Sequence, residues 1–554
     1  MMLWTGFKNK TRPAFMWLRK RWAPVAAAAA IVATTLGVVT DLDSLLDGTN
    51  PVSGVEASAL AASVAAHLES SAIARGGEYG GNTDLEQALE RLTLSEDRRV
   101  QAALRDLDSG NSDSAFERLE ASAMREVSRD PQAGAQRYFD LGVLAEAEMP
   151  RLAMQFYQAA LDIDPDDSRT LDRLGVLYLE QGDADRAEAL HMQALEQARL
   201  DDDETEQSII LGSLGSVYWM RGDFETADAF YTQALELADF NGDLFRSARH
   251  LGNRGLIAEA TGDTSAAETY YERALALMEE VDDAVGMALA QNNLGNVYRQ
   301  RGEFDRAEDL YRRAQATFEA EGHPQRAAFT LSNLGTVAEV RGDFEAAERF
   351  YQRSLERARE FQYVRAIERA ARSGGWMALR RGDYATARSL ADEALMAAVL
   401  TPDPASEADA LILSVGVAAA SGDDPLARNH AARAFAIIET RTVPPQTRAY
   451  IHDALALAAF RANDLEEARR QAEHALTLYT DAQMVASMAE QQLRLATLAF
   501  GRNETATGCI YLGEAEINYG RAGFVAEANR LVDRRRDEGC PERPRASEAD
   551  SEPD

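Results

Sequence analysis

Residues 284–324 read AVGMALAQNNLGNVYRQRGEFDRAEDLYRRAQATFEAEGHP. The stretch divides into two helical patterns. Leu294, Gly295 and Tyr298 mark the first, and Ala307, Tyr311 and Ala314 mark the second. A turn falls between them at Gly302-Glu303, and the next break is Gly322-His323-Pro324. Glycine opens such a turn because it takes a positive φ without a Cβ penalty. A glycine followed by an acid recurs at this phase every forty residues, at Gly182-Asp183, Gly222-Asp223, Gly262-Asp263, Gly342-Asp343, Gly382-Asp383 and Gly422-Asp423. A second glycine keeps the same interval at Gly175, Gly215, Gly255, Gly295, Gly335 and Gly375. A fixed period in this range defines a stack of helical hairpins in which each unit buries its apolar face against its neighbours.

Small residues share the beat. Ala187, Ala227, Ala267, Ala307, Ala347 and Ala387 occupy one position, and Ala194, Ala234, Ala274, Ala314, Ser354 and Ala394 occupy another seven residues on. Larger side chains there would wedge the two helices of a hairpin apart. Tyr231, Tyr271, Tyr311 and Tyr351 fill the site between them, and His191 takes that site one repeat earlier as a core histidine.

These residues resemble the tetratricopeptide repeat. Leu174-Gly175 with Tyr178, Leu214-Gly215 with Tyr218, and Leu294-Gly295 with Tyr298 match its leucine-glycine-tyrosine signature, and the alanines and tyrosines match its second helix. Ala258, Ala338 and Ala378 depart from it at the signature tyrosine. Upstream, Leu141-Gly142, Ala153, Tyr157, Ala160 and Pro165 fit the usual 34-residue unit. The longer period is similar to that of kinesin light chains and related adaptors. The resemblance implies an all-α, right-handed superhelical α-solenoid of antiparallel helix pairs, with about eleven units over 101–522, and a scaffold that binds proteins or extended peptides.

The formal net charge of −33 repels phosphate backbones and excludes nucleic acid as a ligand. Residues 1–22 hold six basic side chains and no acid, and an uncharged run follows from Ala23 to Thr40. Eighteen helical residues reach roughly 27 Å, near the lower limit for crossing a bilayer. Basic before and acidic after (Asp41, Asp43) puts the N-terminus in the cytoplasm and the remainder beyond the membrane, in the periplasm or its equivalent. An uncleaved single-pass anchor in the inner membrane and a cleaved signal peptide both fit this pattern. Residues 41–100 read as a linker with short helices, among them Val55–Arg75 and Asp84–Asp108, which runs on into the array. A capping helix is expected within 523–540 and an acidic tail over 541–554. The two cysteines, Cys509 and Cys540, flank a helix-turn-helix that would bring them together in an oxidising compartment; two free thiols fit as well.

No phosphate-cradling glycine loop, paired-cysteine motif or His-x-x-x-His pair is present, so the sequence points to no enzyme, no metal and no cofactor. One polar constellation stands out. Two residues before the second glycine stand Ser213, Asn253, Asn293, Asn333 and Ser373. Asparagine is a mediocre helix former and needs a reason at a fixed phase. In the family resembled, this position lines the concave groove, where an amide can match the N–H and C=O of an extended peptide. Asn292 and Asn296 cluster around Asn293, and Arg249, Arg369 and Arg372 fall where they could meet an acidic segment. The lysine-rich clamp of the chaperone-binding subclass is missing, since no lysine lies beyond Lys20. The sequence therefore reads as a membrane-anchored scaffold that takes a partner's extended segment. A sensor with a cytoplasmic arm and a self-associating structural array are the alternatives.

Overall fold

In the computed structural model, described residues are 60–68 and 83–541, apart from short breaks at 96, 402–403, 441–444, 483 and 523. The N-terminal basic arm, the run from Ala23 to Thr40 and the tail from residue 542 lie outside them. Among the described residues no helix is long and apolar enough to cross a membrane. All regular structure there is helical, and the chain divides into two units, Met1–Thr330 and Leu331–Asp554.

The Gly-Asp beat makes each hairpin turn in two parts. Glycine takes the left-handed conformation, with φ between 75° and 85° at Gly182, Gly222, Gly262, Gly302, Gly342, Gly382 and Gly422. The following aspartate then caps the next helix. Asp223 accepts from the Thr226 N–H, Asp263 from Ala266 and Asp383 from Thr386. Such a cap satisfies one of the four orphan donors at a helix start. Glu303, one methylene longer, makes no such bond. Farther along, Asn463 and Asn503 adopt φ near 60° in place of glycine.

The second glycine has a different cause. A Cβ on Gly255 would lie 2.4 Å from Cε1 of Tyr271, and the same clash recurs between Gly215 and Tyr231, Gly295 and Tyr311, and Gly335 and Tyr351. Each tyrosine ring therefore lies on the bare backbone of the partner helix. His191 does the same at Gly175; it is fully buried, with Nδ1 2.8 Å from an Asp172 oxygen. The alanines at both phase-locked positions are between 0% and 3% exposed, as close helix packing demands.

In the first unit, hairpins run from Arg98–Asp108 with Ser112–Val127 to Ala284–Gln300 with Phe304–Ala320. The expected single helix Asp84–Asp108 is instead two, Thr83–Thr93 and Arg98–Asp108. The break comes where Asp97 leaves the helix and accepts from the Arg99 N–H, starting a new one. Together with helix 60–68, these segments belong to the folded unit: Val64, Leu68, Leu85, Leu89 and Leu92 are all at most 2% exposed. The described short helices of 41–100 therefore pack on the array.

Neighbouring hairpins are tied along one edge. The Arg221 guanidinium reaches Glu188 at 2.6 Å, and Arg301 reaches Glu268 at 2.5 Å. In the second unit, Arg381 repeats the contact with Glu348 at 2.6 Å. That unit ends in the helix Val525–Asp537, fastened by a disulfide between Cys509 and Cys540, whose Cα atoms are 5.5 Å apart.

Candidate peptide-binding site

The ladder residues all sit on the first helix of a hairpin, and their surroundings differ. In the first unit Ser213, Asn253 and Asn293 are half-buried on Glu204–Arg221, Leu244–Ala260 and Ala284–Gln300. The side chains of Ser213 and Asn253 make no hydrogen bond among the described residues. Asn293 accepts from its neighbour Asn292 at 3.2 Å, and Asn292 accepts from the Thr330 hydroxyl at 3.3 Å. Asn296 serves the fold: its Oδ1 accepts from the Tyr311 hydroxyl at 2.7 Å. Arg249 is exposed, with its guanidinium 6.0 Å from the centre of the Phe245 ring.

The same faces carry exposed apolar side chains. Leu256, just after Gly255, is 37% exposed, and Met220 is 50% exposed. Behind them the phenols of the core find partners. Ser216 meets Tyr231 at 2.9 Å, and Glu259 accepts from Tyr271 at 3.3 Å. Burial, the largest cause, raises the Glu259 carboxyl above its ordinary range. His250 is pushed down to about 4 by burial and then by Arg249 and Arg246; Ser208 lies 3.2 Å from its Nε2.

In the second unit Asn333 is 4% exposed and accepts from Arg369 at 2.6 Å. Arg372 donates to Glu368 at 2.7 Å and approaches Asp409 at 3.9 Å. Ser373 is half-buried and makes no side-chain hydrogen bond among the described residues. Here the amide and both arginines are engaged in tying first helices to one another. The candidate residues thus separate: Ser213, Asn253 and Ser373 make no side-chain hydrogen bond among the described residues, Asn293 bonds only its neighbour Asn292, and Asn296, Asn333, Arg369 and Arg372 are engaged within the fold.

Two features escaped the sequence pattern. Glu206 is 9% exposed, and its carboxyl is pushed up to about 8, first by burial and then by Asp172, Asp203 and Asp84, with Arg169 opposing. Nothing in the beat marks it, because it falls in a first turn where other repeats carry varied residues. The second feature is the contact that the helix Thr83–Thr93 makes at the ladder register, with Asp140 and Arg173. Among the described residues no group of three His, Cys, Asp or Glu side chains could hold a metal ion; His474 instead packs its ring edge-on against His452 at 5.2 Å.

This geometry defines a helical repeat protein whose first helices carry an open polar face. Residues 166–239, 246–320 and 286–360 match a family model described as Tetratricopeptide repeat, and residues 449–474 match a second model of that description. The chain is a tetratricopeptide repeat protein. No curated protein matches it. Among solved structures, BtubC (BKLC) from P. vanneervenii is similar at 28% identity over 45% of this chain and 92% of its own, with a TM-score of 0.33. A Rap protein complexed with competence and sporulation factor is similar at 15% identity over 64% of this chain and 98% of its own, TM-score 0.44. A STAND protein with a tetratricopeptide repeat sensor from Pyrococcus horikoshii gives 14% over 67% and 62%, TM-score 0.43.

Proposed function

We propose that the protein is a membrane-anchored tetratricopeptide repeat scaffold, and that the first helices of hairpins 204–240, 244–280 and 284–320 take an extended segment of a partner protein. The observation that carries this reading is the pair Ser213 and Asn253. Most polar groups locked to the beat are spent on the fold, as the aspartate caps and the Tyr311–Asn296 bond illustrate. These two hold half-exposed side chains with no bond among the described residues, on helices that also expose Met220 and Leu256. Amides and hydroxyls of that kind read a peptide backbone, while the apolar neighbours supply contact area. Arg249 adds a cation and favours segments with acidic residues.

The anchor is the run Ala23–Thr40 with its basic flank. The disulfide supports an oxidising compartment for the array, hence the far side of the inner membrane. The forty-residue period supports the long-helix subclass seen in kinesin light chains.

The test is selection of unstructured twelve-residue peptides on the full chain, followed by Asn253→Ala with Asn293→Ala. Two lost hydrogen bonds at about 0.5–1.5 kcal/mol each predict binding weaker by about fivefold to a hundredfold, with thermal stability unchanged. Unaltered affinity, or early unfolding of the double variant, refutes the reading. Protease accessibility in whole and permeabilised cells checks the orientation.

A further inference from the structure

The ladder register does not begin at Ser213. In the two preceding hairpins the residues two positions before Gly142 and Gly175 are Asp140 and Arg173. Both hold the same element, the helix Thr83–Thr93. The Arg91 guanidinium donates to both oxygens of Asp140, the nearest at 2.6 Å. At the other end of the helix Asp84 pairs with Arg173, which also reaches Glu146 at 3.4 Å. Between these charges Leu85, Ala88, Leu89 and Leu92 are buried in the apolar cluster that contains Phe139, Val143 and Leu144. Val143, the residue after Gly142, is fully covered, whereas Leu256, its equivalent after Gly255, stands 37% exposed. This face is therefore covered by the helix Thr83–Thr93 at the first helices Pro131–Glu146 and Ser168–Glu180, whereas Leu244–Ala260 exposes Leu256.

We infer that Thr83–Thr93 is a ligand held in cis, and that the first helices Pro131–Glu146 and Ser168–Glu180 form a helix-binding site. The partner that fits it is an amphipathic helix with leucines spaced four and seven residues apart, an aspartate in its first turn and an arginine seven residues later. Such a helix exchanges with the resident one. This rests on the reading of the ladder face as a binding surface, but it concerns different hairpins from those that hold Asn253 and Asn293. The resident helix has the advantage of tethering, which sets an effective concentration near millimolar, so an incoming helix succeeds only when it binds more tightly or the resident is weakened.

The probe is a fluorescein-labelled synthetic peptide of residues 82–94, titrated into the full chain by anisotropy. The wild type should bind it weakly. Leu89→Asp, which places a charge in the resident helix's buried stripe, should bind it at least roughly tenfold more tightly, and adding Arg173→Ala should remove most of that gain. A folded Leu89→Asp chain that ignores the peptide, or binding indifferent to Arg173, overturns the proposal. Hydrogen exchange of the wild type gives an answer even if that variant unfolds. Amides of 83–93 should open separately from, and roughly tenfold faster than, those of 131–146. Equal rates would make the helix part of the core and overturn the assignment. Peptide binding here should be insensitive to Asn253→Ala with Asn293→Ala, so failure of either reading leaves the other standing.

Discussion

Glu206→Gln should make the protein more stable, by an amount that grows with pH. The carboxyl lies on the first turn of Glu204–Arg221, nearly enclosed, with Asp172, Asp203 and Asp84 around it and Arg169 as the opposing cation. Its folded pKa of about 8 stands above the ordinary 4.5, so the folded state holds a proton that the unfolded chain has released. Below pH 4.5 the group is protonated in both states and has no effect. Between 4.5 and 8 stability falls by about 1.4 kcal/mol per pH unit, and above 8 the loss is complete. The rise from 4.5 to about 8 corresponds to at most about 5 kcal/mol at pH 9, and about 3 kcal/mol at pH 7. Glutamine keeps the shape and cannot ionise, so the variant should match the wild type at pH 4 and exceed it by about 2–3 kcal/mol at pH 7. Trp219, on the same helix, reports local unfolding by fluorescence in urea. A difference between variant and wild type that is the same at pH 4 and pH 9 would show that the carboxyl ionises normally and that the enclosure has no electrostatic consequence.

The two glycines of Leu244–Ala260 offer a paired test of the packing argument. Gly255→Ala would drive a Cβ to 2.4 Å from the fully buried Tyr271 ring and should cost about 1–3 kcal/mol, whereas a Cβ on Gly252 meets nothing within 4 Å, so Gly252→Ala should be neutral or stabilising by about 0.5–1 kcal/mol. Both are read from thermal melts. Asn333→Ala should lower stability, because it strips the acceptor from Arg369 in a buried site; a Tm equal to wild type would contradict the structural role given to it. Reduction, or Cys509→Ser with Cys540→Ser, releases a loop of 31 residues and should destabilise the C-terminal helix by about 3–4 kcal/mol, seen as faster hydrogen exchange confined to residues 505–540. Arg301→Ala removes an exposed tie to Glu268 and should cost at most about 1 kcal/mol, with the effect gone in high salt.

The hairpins were legible because each depends on local rules that repeat. A left-handed glycine, a capping aspartate and a tyrosine on bare backbone each need one residue type at one phase, so forty-residue spacing exposes them. The break at Ser95–Asp97 was not legible, because the leucine pattern runs on across it and only the cap geometry stops the helix. The cover over the first hairpins was hidden for another reason. Asp84, Arg91, Asp140 and Arg173 meet across 49 to 89 residues, and no periodic pattern links their positions. Glu206 belongs to this class as well, since its environment is assembled from segments far apart in sequence.

Phase alone therefore does not tell a binding residue from a structural one. Asn293 and Asn296 are three residues apart and both half-buried, yet Asn296 is spent on a tyrosine hydroxyl and Asn293 only on its neighbour. What separates them is the partner: the residue after the second glycine bonds the core tyrosine of its own hairpin where it is polar, as Ser216 meets Tyr231 and Asn296 meets Tyr311. Position −2 takes partners from outside its own hairpin: the helix Thr83–Thr93 for Asp140 and Arg173, the next first helix for Asn333, and none among the described residues for Ser213 and Asn253. A position whose partner changes from repeat to repeat is not fixed by the hairpin itself. It can take a partner from outside the hairpin, as Asp140 and Arg173 do in pairing with the helix Thr83–Thr93.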